Sequence, residues 1–469
     1  FSTFQGIGAL GGGNLSVSAG EQLGTYAFIG ADATPVGALN LVVGASGWRD
    51  ADGTVRQTGG GELRVSAGAI NPLRDGTRSN VANLRGDIRV RAGAIGQTWQ
   101  TFQVPGRNSD PRPDDLITRA RVNAYGLLSV TQGDGTARLL SVGDAVFRPL
   151  NPTAGLPGAG LWTDRTKTSV FAAGGDITLS TTGIEAPSPL SLVASEGSIY
   201  GTSNDADKIQ VRPSLDGGVE VLAADSIYRL GLGGEAHEDA KGVSGLAPTR
   251  FYAVDGDIYN LGYGALPSTG SLGLLGRPAW IRAGRDIVGL GQTIDSAFNG
   301  QHSGAVAFGH NADTDVSLIE AGRDLIYVDA AAVGPGTLEV TAGRNFYQAD
   351  RGWVRSMAGL SGDIGSGAGI AINVGMGADG PDYQALIDAY LNPANLADPG
   401  RPLADQPDKV VKVYDQELSS WLEDRYGDAA LDGTTALAYF EALSPEQQRI
   451  FLRELYYAEL RAGGREYND

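Results

Sequence analysis

The sequence predicts a mainly β chain: a parallel β-solenoid over residues 1–375, followed by a small α-helical domain over residues 376–469. Three observations predict this fold class. Strand-like segments with the same glycine-containing turn recur along the chain, and helical periodicity replaces them near residue 376. Glycine accounts for 70 of 469 residues, about twice its usual share. Because proline is ordinary and no Gly-X-Y period exists, this excess indicates many tight turns.

Self-comparison of the sequence reveals the repeated unit. The segment "GGGNLSVSAG" at 11–20 returns as "GGGELRVSAG" at 59–68, and "GELRVSAGAI" at 61–70 returns as "GDIRVRAGAI" at 86–95. Apolar and polar residues alternate in these segments, as expected for a strand with one buried face. A second motif occurs as "IRAGRDIVGL" at 281, "IEAGRDLIYV" at 319 and "VTAGRNFYQA" at 340.

The repeat length predicts the architecture. A period of about 21 to 25 residues is too short for a helical hairpin or a propeller blade, and it suits one coil of a parallel β-solenoid. A coil buries its inward residues only when neighbouring coils cover both sides, so we expect roughly 15 coils and a rod of about 70 Å. Segments rich in Pro, Asp, Asn and Thr are expected to be surface insertions, at 97–121, 147–168 and 202–217.

The last ninety residues predict helices. The segment "PDYQALIDAYLNP" at 381–393 is typical of a short helix ended by proline. In 408–427, apolar residues at helical spacing predict one buried helical face formed by Val411, Tyr414, Leu418, Trp421 and Leu422.

The final helix has a clear start signal. Ser444 is the expected N-cap, Pro445 suits the first helical position, and Gln447 completes a capping box. Gly463 or Gly464 is expected to end this helix. Its predicted apolar stripe consists of Leu452, Leu455, Tyr456 and Leu460.

Charge and composition exclude several function classes. The net charge of −18 argues against nucleic acid or an anionic membrane surface as the main partner. The chain has no cysteine, which excludes disulfides and thiolate metal sites, and no apolar run is long enough for a transmembrane helix. Residues 381–469 carry 17 acidic and 8 basic side chains. This region is expected to be a helical cap on the open edge of the solenoid, or an acidic docking module.

The motif "AGRDI" is predicted to be structural rather than catalytic. It lacks the spacing of a phosphate loop, and no helical pattern follows its glycine. A residue required in every coil is more consistent with Asx-type hydrogen bonds to turn amides than with a catalytic role. The repeated aspartates are Asp87, Asp176, Asp257, Asp286, Asp324 and Asp363. The predicted structural turn positions are Gly284, Asp286, Gly322, Asp324, Gly343 and Asn345.

No cofactor or metal is predicted from the remaining residues. The nonapeptide of calcium-binding β-rolls is absent, and His302 and His310 lack the spacing of a zinc site. The tripeptide Arg85, Gly86 and Asp87 has the form of an integrin-type cell-binding motif. The alternative is a chance tripeptide, since it occupies the turn aligned with "GGE" and "GGD" in other repeats.

The repeated "AGRDI", "AGRDL" and "AGRN" segments, together with "GGxLxVSAG" units, closely resemble the repeats of filamentous haemagglutinin-like exoproteins. The resemblance covers about residues 1–375. It implies a right-handed parallel β-helix at the bacterial cell surface or outside the cell. It also implies export through an outer-membrane two-partner-secretion transporter, which engages an N-terminal region. "NPL" at 71–73 does not match that region's signature, so the chain is expected to be a distal, C-terminal portion.

The resemblance also implies a function. Family members act as adhesins, biofilm matrix proteins or stalks that carry toxins, so we expect a non-catalytic surface rod that binds a host-cell or matrix glycan or protein. One alternative is a β-helix polysaccharide lyase or hydrolase, whose carboxylate pair cannot be identified among 54 acidic residues. Another is a stalk on which residues 376–469 form an anchor or toxin module.

Overall fold

The protein folds as a long parallel β-helix followed by four α-helices. Successive coils place their strands on equivalent strands of the preceding coil, with residues in direct register. The structure is a computed structural model that describes residues 6–24, 28–29, 35–36, 38–52, 54–71, 78–103, 119–150, 162–163, 165–179, 185–186, 189–201, 209–211, 217–234, 245–263, 277–291, 306–348, 352–358, 366–427 and 432–468.

One lateral sheet, here called face A, runs through the entire described solenoid. It contains twelve parallel strands, fewer than the roughly 15 coils expected, because several coils carry long insertions. Equivalent residues of neighbouring coils are 21 to 49 positions apart in the sequence. Because the twelve strands are stacked about 4.8 Å apart, the stack is about 50 Å long. The strands of face A are Leu15–Leu23, Leu63–Ile70, Ile88–Ile95, Thr136–Ser141, Lys167–Ala172, Leu190–Ala194, Val219–Ala223, Thr249–Ala253, Ala279–Ala283, Val316–Ala321, Thr337–Ala342 and Gly369–Val374.

A second sheet, face B, follows face A around a corner in the later coils. Its strands are Ala145–Leu150, Ile177–Leu179, Ile199–Gly201, Ile227–Tyr228, Ile258–Tyr259, Ile287–Leu290, Asp324–Val328 and Asn345–Tyr347. Shorter strands complete these coils as face C: Glu185–Ala186, Ile209–Val211, Gly231–Gly234, Gly262–Tyr263, Val306–Gly309, Ala330–Val333 and Val354–Met357.

The first coils are built differently, with long return strands and protruding hairpins. The return strands stack in parallel as Ile7–Ala9, Ala38–Val43, Arg78–Arg85 and Leu127–Asp134. Antiparallel hairpins are formed by Phe28–Ile29 with Pro35–Val36, Ala45–Arg49 with Val55–Gly59, and Gln97–Gln103 with Arg119–Tyr125.

The predicted insertions differ in how much of them the structure describes. The hairpin strands Gln97–Gln103 and Arg119–Tyr125 form the two ends of the insertion predicted at 97–121. Residues 104–118 between its strands lie outside the described residues, as do 151–161, 202–208 and 212–216 of the other two predicted insertions.

The solenoid has a continuous apolar interior. In strand Leu63–Ile70, Leu63 and Val65 are buried while the alternate residue Arg64 is exposed, as the sequence pattern predicts. Val65 stacks on Val90, and the stack of inward residues continues coil after coil to form one hydrophobic core. Each coil is therefore stabilised chiefly by its two neighbours.

Four α-helices follow the solenoid and share a separate hydrophobic cluster. The helices are α1 (Tyr383–Tyr390), α2 (Asp415–Tyr426), α3 (Gly433–Ala442) and α4 (Pro445–Asn468). Short 3₁₀ turns occur at Pro393–Asn395 and Leu403–Asp405. The sequence analysis did not identify α3, whose N-cap is Asp432.

The start of α4 is as predicted, but its end is not. Ser444 and Gln447 form the reciprocal hydrogen bonds of a capping box, which confirms that prediction. The helix continues through Gly463 and Gly464 to Asn468, and Leu460 is 53% exposed rather than part of the apolar stripe. The glycines lie in an exposed part of the helix, where glycine costs only about 1 kcal/mol relative to alanine.

Val411 was wrongly assigned to a helical face. It precedes α2, which begins at Asp415, and it is 77% exposed. Leu418 and Leu422 are fully buried as expected. The helical spacing extended one turn beyond the segment that is helical in the structure, a common error at helix ends.

The helices pack on the side of the solenoid rather than on its end. The last face A strand, Gly369–Val374, places Ile370, Ile372 and Val374 over the inward residues of the preceding coil. These three side chains are 40 to 47% exposed. In the described residues the helical region therefore lies beside face A, and the expected cap on the open edge stays a prediction.

Candidate functional site

A ladder of polar side chains follows the corner between faces A and B, at the first residue of a face B strand or directly before it. In each step, a side-chain oxygen of one coil accepts a hydrogen bond from the backbone N–H of the next coil. Seven such bonds, 2.8 to 3.2 Å long, connect eight coils. We call this the corner ladder; its members are Asp144, Asp176, Ser198, Ser226, Asp257, Asp286, Asp324 and Asn345.

The corner ladder explains the "AGRDI" motif. Asp286 accepts a hydrogen bond from the N–H of Asp324, and Asp324 accepts one from the N–H of Asn345. The sequence predicts that these residues bond turn amides, and the amides that they bond belong to the turn of the next coil. The backbone N–H groups at a buried corner cannot form hydrogen bonds with water. Each carboxylate or hydroxyl of the corner ladder therefore supplies the acceptor that one of these groups needs.

Arginines of the motif neutralise the buried carboxylates of the preceding coil. Arg323 forms a two-point contact with Asp286, at 2.5 Å and 3.2 Å. Arg344 contacts Asp324 in the same way, at 2.5 Å and 2.9 Å. The Arg344 side chain holds the pKa of Asp324 below its usual range, against the opposing effect of burial.

The three motif glycines are required by the close approach of coils. A Cβ atom on Gly322 would collide with the carbonyl oxygen of Gly284, and one on Gly343 would collide with the carbonyl oxygen of Gly322. None of these glycines has a positive φ. They lie at the bend between faces A and B, as the predicted turn positions require, but they do not supply a left-handed turn conformation.

Asp87 lies at a different corner from the other motif aspartates. It directly precedes the face A strand Ile88–Ile95, and its Oδ1 accepts a hydrogen bond from the N–H of Thr136 at 3.0 Å. The residue aligned with it in the preceding coil is Glu62, whose N–H donates to Asn14. The grouping of Asp87 with Asp286 was therefore wrong, and Asp363 lies outside the described residues.

The tripeptide Arg85, Gly86 and Asp87 is part of this second corner. Gly86 has a φ of 128° and donates its N–H to the carbonyl of Asp134 at 2.7 Å. The second carboxylate oxygen of Asp87 lies 3.8 Å from Arg89. The carboxylate thus has partners within the solenoid, and a cell-binding role for the tripeptide stays a prediction.

A cluster of buried ion pairs joins α4 to face A. Its members, here called the interface ion cluster, are the carboxylates of Glu320, Glu339 and Glu446 and the guanidinium groups of Arg282, Arg449 and Arg453. Arg449 lies 2.8 Å from Glu320 and 3.5 Å from Glu339, and Arg453 lies 3.1 Å from Glu339. Arg282 bridges Glu320 at 3.1 Å and Glu446 at 3.0 Å.

The interface ion cluster is balanced in charge, and its centre is buried. Glu339 is 1% exposed, and Arg449 is also buried. Burial alone would raise the pKa of Glu320, but Arg449 and Arg282 outweigh it and hold that pKa below its usual range. Because all three carboxylates face guanidinium groups from both sides, this cluster attaches α4 to face A.

The outward side of face A carries two columns of side chains. Arg64, Arg89 and Arg138 stand in register in one column of the early coils, and Arg91 stands beside them in the other. All four are exposed. Glu62 pairs with Arg64 at 2.5 Å and with Arg89 at 3.0 Å. We call these four arginines the arginine patch; it is a local cationic surface on an acidic chain.

The second outward column becomes apolar further along the solenoid. Leu140 is 41% exposed, Phe171 is 38% exposed, and the next three members are partly buried. We call this the apolar column; its members are Leu140, Phe171, Val193, Leu222 and Tyr252, which stand in register on five neighbouring strands.

His310 has a structural role. It is buried, with Nδ1 2.7 Å from the carbonyl oxygen of Pro335 and Nε2 2.7 Å from Oγ of Ser317. Burial lowers its pKa, so the neutral ring is favoured. His302 lies outside the described residues. Within the described ranges, no three His, Asp or Glu side chains are grouped so that they could hold a metal ion.

Comparisons with protein-family models, with curated proteins and with solved structures gave no match to this chain. In the part of the chain that the structure describes, none of the helices has both the length and the apolar character needed to cross a membrane.

Sequence analysis missed several residues of these surfaces. Ser198 and Ser226 occupy corner-ladder positions, and aligning "GSIY" and "DSIY" with "GDIY" would have revealed them. The arginine patch could have been found by comparing the outward positions of aligned repeats. The interface ion cluster has no sequence signal, since its partners Glu320 and Arg449 are 129 residues apart.

Proposed function

We propose that the protein is a non-catalytic rod of a bacterial surface exoprotein that works in adhesion or in a biofilm scaffold. The parallel β-helix and the repeats that resemble filamentous haemagglutinin-like exoproteins support this proposal. Export through an outer-membrane two-partner-secretion transporter and a location at the cell surface or outside the cell belong to the same proposal. Because a β-helix also hosts enzymes, the proposal rests on the surface that the rod presents as well as on its fold.

The observation that carries the proposal is the outward side of face A. It is a long, regular surface that presents the arginine patch on three neighbouring coils. Equivalent side chains on neighbouring coils are about 4.8 Å apart, so the surface can contact an extended ligand at many equivalent points. Multiple weak contacts along a rod are a physical basis for adhesion. The cations favour an anionic glycan or protein ligand of a host cell or matrix.

The test compares two variants with the same change in charge. Arg91 and Arg138, from the arginine patch, are replaced by serine in one variant, and the exposed Arg401 and Arg461 of the helical region in the other. Binding of the purified protein is measured on intact cells and on immobilised anionic and neutral polysaccharides. We expect the first variant to lose at least tenfold in binding and the second to match the unchanged protein.

Two outcomes would contradict the proposal. Equal binding by both variants would show that the arginine patch is not the adhesive surface. Shortening of a polysaccharide chain during incubation, measured by size-exclusion chromatography and new reducing ends, would instead support the β-helix lyase or hydrolase alternative.

A further inference from the structure

The long helix α4 runs along the axis of the solenoid. Its residues Glu446, Arg449, Arg453 and Tyr457 contact successive strands of face A: Glu446 pairs with Arg282, Arg449 with Glu320, Arg453 with Glu339, and Tyr457 donates to Asn373 at 3.2 Å. These contacts recur every three or four residues. One turn of helix therefore meets one coil of the solenoid.

The same outward column of face A continues beyond the start of α4. Arg282, which contacts α4, stands in register with Tyr252 on the preceding strand, and Tyr252 belongs to the apolar column. The column thus consists of polar residues where α4 covers it and of apolar residues over the five strands before α4 begins.

We propose that the apolar column is a docking surface for an amphipathic α-helix of a partner protein, lying in line with α4. Continuity with the existing interface between α4 and face A is the main argument, because the solenoid already accepts a helix at one turn per coil. That helix contacts Arg282, Glu320 and Asn373 of this column and Glu339 of the neighbouring one. Five strands span about 20 to 25 Å, which corresponds to a helix of about 16 residues. Apolar side chains at positions i, i+3, i+4 and i+7 would face the column.

The neighbouring column defines the charge of that partner helix. Arg138 and Arg250 stand beside the apolar column near its two ends, and Glu220 stands between them. Acidic residues on one flank of the helix would therefore be favoured. A glycan fits this surface less well, since three of the five column residues are aliphatic and offer neither hydrogen bonds nor a flat ring. The inference goes beyond the proposed adhesive function and does not depend on it.

The experiment uses two labelled 16-residue peptides and the full chain. One peptide carries leucine at every third or fourth position and glutamate along one flank; the other has the same composition in scrambled order. Fluorescence anisotropy measures their binding to the unchanged protein, to the double variant Phe171→Ser with Leu222→Ser, and to a control double variant, Leu403→Ser with Val411→Ser. The control residues are exposed and lie in the helical region.

We expect the amphipathic peptide to bind at least tenfold more tightly than the scrambled peptide. The Phe171 and Leu222 variant should lose at least tenfold in affinity, and the control variant should bind as the unchanged protein does. Circular dichroism checks that the variants keep their fold, as expected for outward-facing residues.

Three results would overturn the inference. These are equal binding of the two peptides, equal binding by the Phe171 and Leu222 variant, or a neutral oligosaccharide that binds in a Phe171-dependent manner while the peptides do not. Because cell binding is measured separately with the arginine variants, failure here leaves the proposed adhesive function untouched.

Discussion

The corner ladder and the interface ion cluster both bury carboxylates, but they satisfy them in different ways. In the corner ladder each carboxylate receives a backbone N–H from the next coil, as Asp286 does from Asp324. In the interface ion cluster Glu339 faces only the guanidinium groups of Arg449 and Arg453. The hydrogen bonds of the corner ladder recur from coil to coil, so the loss of one acceptor should destabilise only the coils next to it. The second depends on a few side chains that are distant in sequence, so it should be far more sensitive to a single substitution.

The largest expected effect is at Glu339. Replacing it with glutamine leaves the partly buried Arg453 without a charged partner in the interface ion cluster. Removing one member of a buried ion pair costs about 3 to 5 kcal/mol. We expect the helical region to detach from face A, measured by limited proteolysis and chemical denaturation. The control is Glu220→Gln, which lies in the same outward column but is half exposed and should change stability by less than about 1 kcal/mol.

Gly322→Ala should have the next largest effect on the free energy of unfolding. Its Cβ would meet the carbonyl oxygen of Gly284, and separating the two coils should lower the free energy of unfolding by about 3 kcal/mol. Gly20 has open space around it, so Gly20→Ala should change stability by less than about 0.5 kcal/mol. Thermal unfolding of the two variants gives the comparison, and similar melting temperatures would contradict the role of close coil approach.

Asp329 provides a pH-dependent test at a third place, the corner between faces B and C. It is buried beside face C, and burial raises its pKa to about 6, with Arg355 opposing the rise. A carboxyl whose folded pKa is raised favours folding at low pH, and this contribution is lost as the pH rises from about 4 through 6. Asp329→Asn should therefore match the unchanged protein at pH 4. At pH 7 Asp329→Asn should be more stable than the unchanged protein by about 2 kcal/mol, because asparagine carries no charge that burial would destabilise.

Denaturant titrations at pH 4, 5, 6 and 7 measure this difference. Asp313→Asn, at an exposed position nearby, serves as the control. A stability difference that does not change with pH would show that Asp329 does not titrate in this range.

The smallest effect is expected within the corner ladder. Asp286→Ala removes the acceptor for one amide and the partner of Arg323, and should cost about 2 kcal/mol. Asp286→Ser should cost only about 1 kcal/mol, since serine occupies this position in two other coils. Chemical denaturation measures both, and neither should change ligand binding. Equal destabilisation by serine and alanine would show that residue 286 does not stabilise the fold through its hydrogen bond with the N–H of Asp324.

The solenoid was predictable because its physical requirements recur. The inward residues of "LRVSAG", the close approach at Gly322 and the acceptor at Asp286 appear in coil after coil, so the sequence repeats wherever the structure does. The helices α1, α2 and α4 were predictable from local capping and spacing, but α3 was missed and the end of α4 was placed too early. Local signals weaken at exposed helix ends, where packing no longer constrains the residues.

The functional surfaces were much less predictable. The arginine patch depends on residues brought together by coil stacking, with Arg89 and Arg138 about 49 positions apart across a hairpin insertion. The interface ion cluster and the apolar column depend on which outward residues the helices cover. Tertiary packing determines which outward residues the helices cover, and no local sequence pattern near Glu320 or Phe171 predicts it.

The geometry of the solenoid limits the length over which a straight helix can stay in contact with face A. A helix advances about 5.4 Å per turn, whereas the coils are about 4.8 Å apart. The two periods drift by roughly 0.6 Å per coil, so after four coils the side chains are displaced by about half a coil spacing. Contacts of α4 extend from Glu446 to Tyr457, which reaches Asn373 on the last face A strand, and residues 460–465 of the helix are exposed. Any straight helix that lies on this solenoid can stay in phase for only about four or five turns before it must bend, end or leave the surface.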